Sequence, residues 1–173
     1  GPGNKFVSQA KLSLFGEIGI ESMIAGPSEI CVVADRNTNI NEISTSLIGQ
    51  AEHDENSQCI LLTKDKLLIK KVIKRINIIL KKIPRKFIAS KSLRKNGLII
   101  YVNEDKKIPE IINLISPEHL EINVKKPNKY LKKIVNAGSI CIGRYSAMAV
   151  TDYTAGTNHV LPTLGSAKFS SGL

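Results

Sequence analysis

Tryptophan is absent and aromatic residues make up only 5% of the chain, which leaves little side-chain surface on which nucleotide bases could stack. That scarcity bears on the charge. With 25 Lys and Arg against 15 Asp and Glu, the formal net charge is +10, and basic side chains set against phosphates gain affinity by releasing counterions. The position of the lysines argues against a nucleic-acid partner. They concentrate in "KDKLLIKKVIKRINIILKKIPRK" and "KKPNKYLKK", interleaved with Leu and Ile at helical spacing, as on the solvated face of an amphipathic helix. Long hydrophobic runs are missing as well. None reaches the ~18 residues of a membrane span, and residues 1–20 lack the charged start and apolar block of a secretory signal, so a cytoplasmic location with no membrane partner is expected. Cysteine is scarce. Cys31, Cys59 and Cys141 sit singly in "EICVVA", "SQCILLT" and "SICIG", apolar settings of buried strands that suit packing in a reducing compartment and exclude a disulfide or zinc framework.

The 42% hydrophobic and 23% charged residues describe a folded globular domain, and no internal repeat, low-complexity tract or linker divides residues 1–173. Along the chain, helical periodicity alternates with short, nearly continuous apolar runs. "KFVSQAKLSLFG" reads as a helix and "EICVVA" as a strand. "NINEISTSLIGQAEH" reads as a helix whose Asn39 and Glu42 have the spacing of a capping box. Then come the strand "QCILLT", a helix from about Asp65 to Lys82, the strand "GLIIYV", the helix "IPEIINLI", the strand "LEINV", the helix "PNKYLKKIVNA" and the strand "SICIG". The alternation predicts an α/β domain, a mostly parallel open sheet with helices on both faces. Such sheets hold ligands beyond the carboxyl ends of their strands. "GPGN" at the front and "GTNHVLPTLGSAKFSSGL" at the back are loop-rich and read as cut ends.

Only three histidines are present, and all fall at expected loops or helix ends, each beside polar partners. In "LIGQAEHDENSQCILL", Gln50 and His53 are three apart at a helix end, on one face of it. They are two donors of a half-built metal or ligand site, or an ordinary solvated helix end. In "ISPEHLEI", Glu118 and His119 lie between a helix and a strand. A carboxyl beside an imidazole moves protons and activates water near neutral pH; alternatively, Ser116 and Pro117 end the helix and the two residues are exposed turn residues. In "YSAMAVTDYTAGTNHVLPT", Asp152 and His159 fall on loop-forming sequence. No GxGxxG dinucleotide fingerprint is present.

Taken together and in order, "GPGN", "AGPSEI", "QAEHD", "SPEHLE", "AGSICIGRYS" and "DYTAGTNHVLPT" closely resemble histidinol dehydrogenase, the zinc enzyme that oxidises L-histidinol to L-histidine in two NAD-dependent steps. The resemblance runs from the first residue to the last and covers less than half of a full-length member. It implies that residues 1–173 are chiefly the second of two incomplete Rossmann-like domains. Carried over, Gln50, His53 and Asp152 are ligands of the catalytic Zn2+, the fourth being a histidine in a C-terminal tail that this sequence does not include. Glu118 and His119 are the acid and base residues. Ser28 touches the substrate together with Gln50, His53, Glu118, His119 and Asp152, and Asn4 contacts NAD. The family forms homodimers whose subunits exchange tails, and this chain alone is expected to be inactive. A dehydrogenase of another amino or hydroxy alcohol, or a basic non-catalytic α/β binding module, are the alternatives.

Overall fold

The computed structural model describes residues 5–14, 17, 26–153 and 161–169. Helix α1 (Lys5–Ser13) precedes an alternation of β1 (Glu29–Ala34), α2 (Ile40–Ala51), β2 (Gln58–Thr63), α3 (Lys66–Leu80), α4 (Lys86–Asn96), β3 (Gly97–Tyr101), α5 (Lys107–Ile115), β4 (His119–Asn123), α6 (Asn128–Leu131), β5 (Ser139–Ile142) and α7 (Met148–Tyr153). The five strands form one sheet in the order β3-β2-β1-β4-β5, and every pairing is parallel. The expected α/β architecture is present.

Alternation along each strand sorts the side chains into two cores, because successive residues point to opposite faces of a sheet. On one face Ile30, Val32, Cys59 and Leu61 pack with Ile43, Leu47 and Ala51 of α2 and with Leu68, Val72 and Ala89. On the other, Cys31, Val33, Ile60, Leu62, Leu120 and Ile122 meet Ile108, Ile112, Tyr130 and Ile134. The central strand β1 is buried along its whole length. Each such aliphatic side chain contributes roughly 1.5–3 kcal/mol on burial, so β1 anchors both layers. Burial pushes the Cys31 and Cys59 thiols up to about 12, and all three cysteines are buried. They are packing residues, as read from their settings. The lysines of α3 lie on its outer side, while Leu68 and Val72 are its buried positions.

Several local expectations are corrected. Asn39 does cap α2, but its side chain accepts from the Asn41 N–H, and Glu42 instead accepts from Arg144 Nε at 2.7 Å. The capping box is therefore half formed, its acid having been recruited by a cation far along the chain. Helix α4 was not legible: its buried residues are only Ala89 and Ser92, and its first residue has no side-chain cap. It runs straight into β3 through Gly97, where any Cβ would lie 2.3 Å from the Leu93 carbonyl oxygen. Of the expected helix "PNKYLKKIVNA", only Asn128–Leu131 is helical.

The carboxyl ends of the strands, where a ligand was expected, are held by an ion-pair network. Asp105 accepts from Lys64 Nζ at 3.1 Å, from Tyr130 Oη at 2.9 Å and from Lys129 Nζ at 3.0 Å. Partial burial raises the Asp105 pKa, but the bonds from Lys129, Tyr130 and Lys64 outweigh it and hold the carboxyl at about 2, against an ordinary 3.8. A depressed carboxylate pKa stabilises the fold above the unfolded value and loses that contribution as pH falls through the folded one. Asp105→Asn should therefore cost about 1 kcal/mol or less at neutral pH, since the group is half exposed and screened. The gap between parent and variant should close between about pH 4 and 2. Urea unfolding across that range checks it; a gap independent of pH would show that the network does not stabilise the fold.

Candidate active site at the amino edge of the sheet

Helix α2 connects two neighbouring parallel strands, so it must run antiparallel to them. Its last turn consequently returns to the amino edge of the sheet, beside the start of β2, where the Gln58 N–H donates to the Ser28 carbonyl at 3.0 Å. Gln50 lies in the last turn of this helix and His53 in the turn that follows, Ser28 precedes β1, and Glu118 leads into β4, which His119 opens. The candidate residues thus gather at the amino edge, opposite to the edge expected of a doubly wound sheet. The direction of the crossover helix decides this.

Glu118 and His119 are buried, with 6% and 7% exposure, so they are not turn residues in solvent. Ser116, in the left-handed conformation at φ 54°, caps α5 and donates from its N–H to the Ile112 carbonyl at 2.7 Å. Helix α5 does end at Ser116, and the chain then turns directly into β4. One carboxylate oxygen of Glu118, Oε2, accepts from the Glu29 N–H at 3.0 Å. The other, Oε1, lies 3.6 Å from His119 Nε2. On the far side of the ring, Nδ1 is 3.3 Å from the Ser139 hydroxyl. The imidazole is therefore held between a hydroxyl and a carboxylate, and the carboxylate is itself anchored by backbone.

The second buried acid is Glu29. Burial raises its pKa, against the pull of the Glu118, Gly165 and Leu164 N–H groups. Its carboxyl thus lies near N–H groups at the entry to β4 and in the segment 161–169, which together wall this end of the sheet, while its Oε2 makes no hydrogen bond among the described residues. That segment closes further onto the loop before β1, where the Gly26 N–H donates to Thr163 Oγ1 at 2.7 Å. Gly138 lets the entry to β5 press against the site, since a Cβ there would meet the Glu118 carbonyl oxygen at 2.6 Å.

Gln50 is 1% exposed, and its amide nitrogen is buried without a hydrogen-bond partner. An orphaned buried amide costs free energy, and it marks a place where a further group would be accommodated. His53 is different. It lies in the turn after α2, exposed to solvent, and its carbonyl accepts from Arg85 at 3.4 Å. Of Asp152 only the backbone, in α7, is described; Asn4 and His159 lie outside the described residues. Among the described residues no three His, Cys, Asp or Glu side chains form a metal-binding cluster.

A family profile described as histidinol dehydrogenase matches residues 1–173. The chain belongs to the histidinol dehydrogenase family. It is 55% identical over its whole length to a histidinol dehydrogenase of Pelagibacter ubique and 49% identical to one of Hydrogenovibrio crunogenus. In each case it spans 40% of the relative's length. The fold agrees: a crystal structure of histidinol dehydrogenase from Elizabethkingia anophelis superposes with a TM-score of 0.95 at 38% identity, covering 100% of this chain and 40% of that one. Enzymes of this family oxidise histidinol to histidine.

Sequence reasoning picked out Ser28, Glu118 and His119 but passed over Glu29, Ser139 and Glu121. Glu29 and Glu121 stand inside quoted motifs, "AGPSEI" and "SPEHLE", as acids in apolar surroundings. An acid on the core side of an expected strand was the available signal. Ser139 offered none, because its role depends on the register that sets it opposite His119.

Proposed function

We propose that this chain supplies the proton-transfer and metal-ligating half of an NAD-dependent, zinc-requiring oxidation of L-histidinol to L-histidine by way of L-histidinal. Residues 1–173 would form a single incomplete Rossmann-like domain of a longer, homodimeric and cytoplasmic enzyme. The observation that carries the reading is the buried Glu118–His119 pair, 3.6 Å apart, on a chain that matches the family over its whole length. In this reading Gln50, His53 and Asp152 hold the zinc, Ser28 contacts the substrate and Asn4 contacts NAD. The donor types suit zinc: one imidazole, one carboxylate and the oxygen of one buried amide, an N and O set of the kind catalytic zinc accepts. When bound, zinc supplies a template and Lewis acid for the imidazole and amine of histidinol, and NAD supplies the hydride acceptor.

The chain's own residues carry the proton chemistry. His119 takes the hydroxyl proton as the alcohol is oxidised, a task for which an imidazole is suited near neutral pH. Ser139 holds the ring from the Nδ1 side, which leaves Nε2 turned toward Glu118. Glu118 activates the water that hydrates the aldehyde, using Oε1, because Oε2 is committed to the Glu29 N–H. The enclosing wall of Glu29, Gly138 and segment 161–169 fixes both groups in place.

The test is a chimera in which residues 1–173 replace the matching 40% of the Pelagibacter ubique enzyme. Zinc-dependent NADH formation from L-histidinol is expected from the chimera and not from the 173-residue chain alone. Hydride transfer requires donor and acceptor carbons held within ~3.5 Å, and the resemblance leaves Asn4 as this chain's single NAD contact. A folded chimera that produces NADH from a different amino alcohol and not from histidinol would overturn the substrate. Turnover by the isolated chain would overturn the division of labour.

A further inference from the structure

Glu121 is 5% exposed and lies two residues beyond His119 on β4, so the two share the face of the sheet that α2 covers. Its surroundings are apolar. Val32 stands opposite it on β1 and Cys141 opposite it on β5, and Leu47, Ala51 and Met148 belong to the core on that face. A carboxylate placed there without partners would be costly. Its partners come from two helices. Oε1 accepts from the Met148 N–H at 2.8 Å, at the first turn of α7, where a negative charge meets the positive end of the helix. The Ser46 hydroxyl of α2 lies beside the same carboxyl and favours its charged form, against the burial that raises its pKa.

Both attachment points are one helical turn short of candidate zinc ligands. On α2, Ser46 is followed at four residues by Gln50, and at seven by His53 in the turn after the helix; on α7, Met148 is followed by Asp152 at four. Helix α7 has only 6 residues, too few to be stable alone, so its placement depends on what it is tied to. We propose that Glu121 is a positioning residue for the metal centre, a single buried strut that ties α2 and α7 together and sets the spacing of the three zinc ligands they carry. The inference rests on the ligand assignment given under the proposed function. It concerns how the ligands are held, and assigns Glu121 no contact with metal or substrate.

The experiment measures zinc affinity of the chimera by competition with a chromophoric chelator, with folding followed in parallel by circular dichroism. Glu121→Leu removes the strut, and zinc affinity should fall by 10–100-fold, the scale seen when residues supporting metal ligands are lost. Glu121→Gln keeps an oxygen that accepts from the Met148 N–H, and should stay within ~3-fold of the parent. Val72→Ala takes volume from the same core without touching either attachment. It should destabilise the fold while leaving zinc affinity unchanged. Ser46→Ala removes one of the two ties, and should weaken zinc several-fold even if Glu121→Leu does not fold. Parent-like affinity in both Glu121→Leu and Ser46→Ala would overturn the strut, as would an equal loss in Val72→Ala or no rescue by Glu121→Gln. His53→Ala separates the two readings. If it loses zinc while the Glu121 and Ser46 variants do not, the strut alone fails. If it retains zinc, the ligand assignment fails and the strut with it.

Discussion

His53→Ala in the chimera is expected to abolish tight zinc binding and histidinol turnover together. Of the three ligands assigned to this chain, His53 is the one imidazole, and the other two are an amide and a carboxylate. An amide oxygen is a weak zinc ligand, and a carboxylate left with it does not make a tight site. The fold should survive the substitution. His53 is exposed in a turn, and its hydrogen bonds run through the backbone, from its N–H to the Gln50 carbonyl at 3.2 Å and from Arg85 to its own carbonyl, both of which an alanine retains. A surface substitution of this kind changes stability by about 0.5 kcal/mol or less. The two measurements are zinc content after dialysis and the thermal unfolding midpoint. Stoichiometric zinc in a normally folded variant would remove His53 from the ligand set, whatever happened to the rate.

The contrast between Gln50 and His53 shows what a sequence discloses about a site. Their spacing put both at the end of one helix, and α2 does end there. Burial was not legible, because it depends on how α4 and β2 close over that helix, and α4 gives almost no apolar signal of its own. The α/β alternation was legible because each strand is a short apolar run and each long helix has a marked apolar stripe. The edge of the sheet that holds the site was not. It follows from the direction in which α2 crosses between β1 and β2, whereas the general habit of open sheets pointed to the other edge, which Asp105 and its two lysines occupy. The Glu118–His119 pair was visible as a motif and ambiguous in meaning. What turns it from a turn into a candidate proton relay is contact with Glu29 and Ser139, 89 and 20 residues away in sequence.

Those contacts make His119→Asn the sharpest test of the chemistry. An asparagine approximates the size of the imidazole and offers a polar atom toward Ser139, but it cannot exchange a proton in the neutral range. Turnover of histidinol by the chimera is therefore expected to fall by ~100-fold or more, the usual scale for losing a general base. Zinc should remain bound, since His119 is not assigned as a ligand and β4 keeps its pairing to β1 and β5 through backbone. The pair of readouts separates the roles of the two histidines: His53→Ala loses metal and rate, His119→Asn loses rate alone. The reaction offers a further division. His119 is assigned to the alcohol proton and Glu118 to the water that adds to the aldehyde, so Glu118→Gln should slow oxidation of L-histidinal more than the first oxidation of L-histidinol. His119→Asn should slow the alcohol step at least as strongly. Single-turnover rates starting from alcohol and from aldehyde distinguish these outcomes. A His119→Asn chimera with a near-parental alcohol step would mean that the proton leaves by another route, and the 3.6 Å contact between His119 and Glu118 would then be a structural pairing at the start of β4.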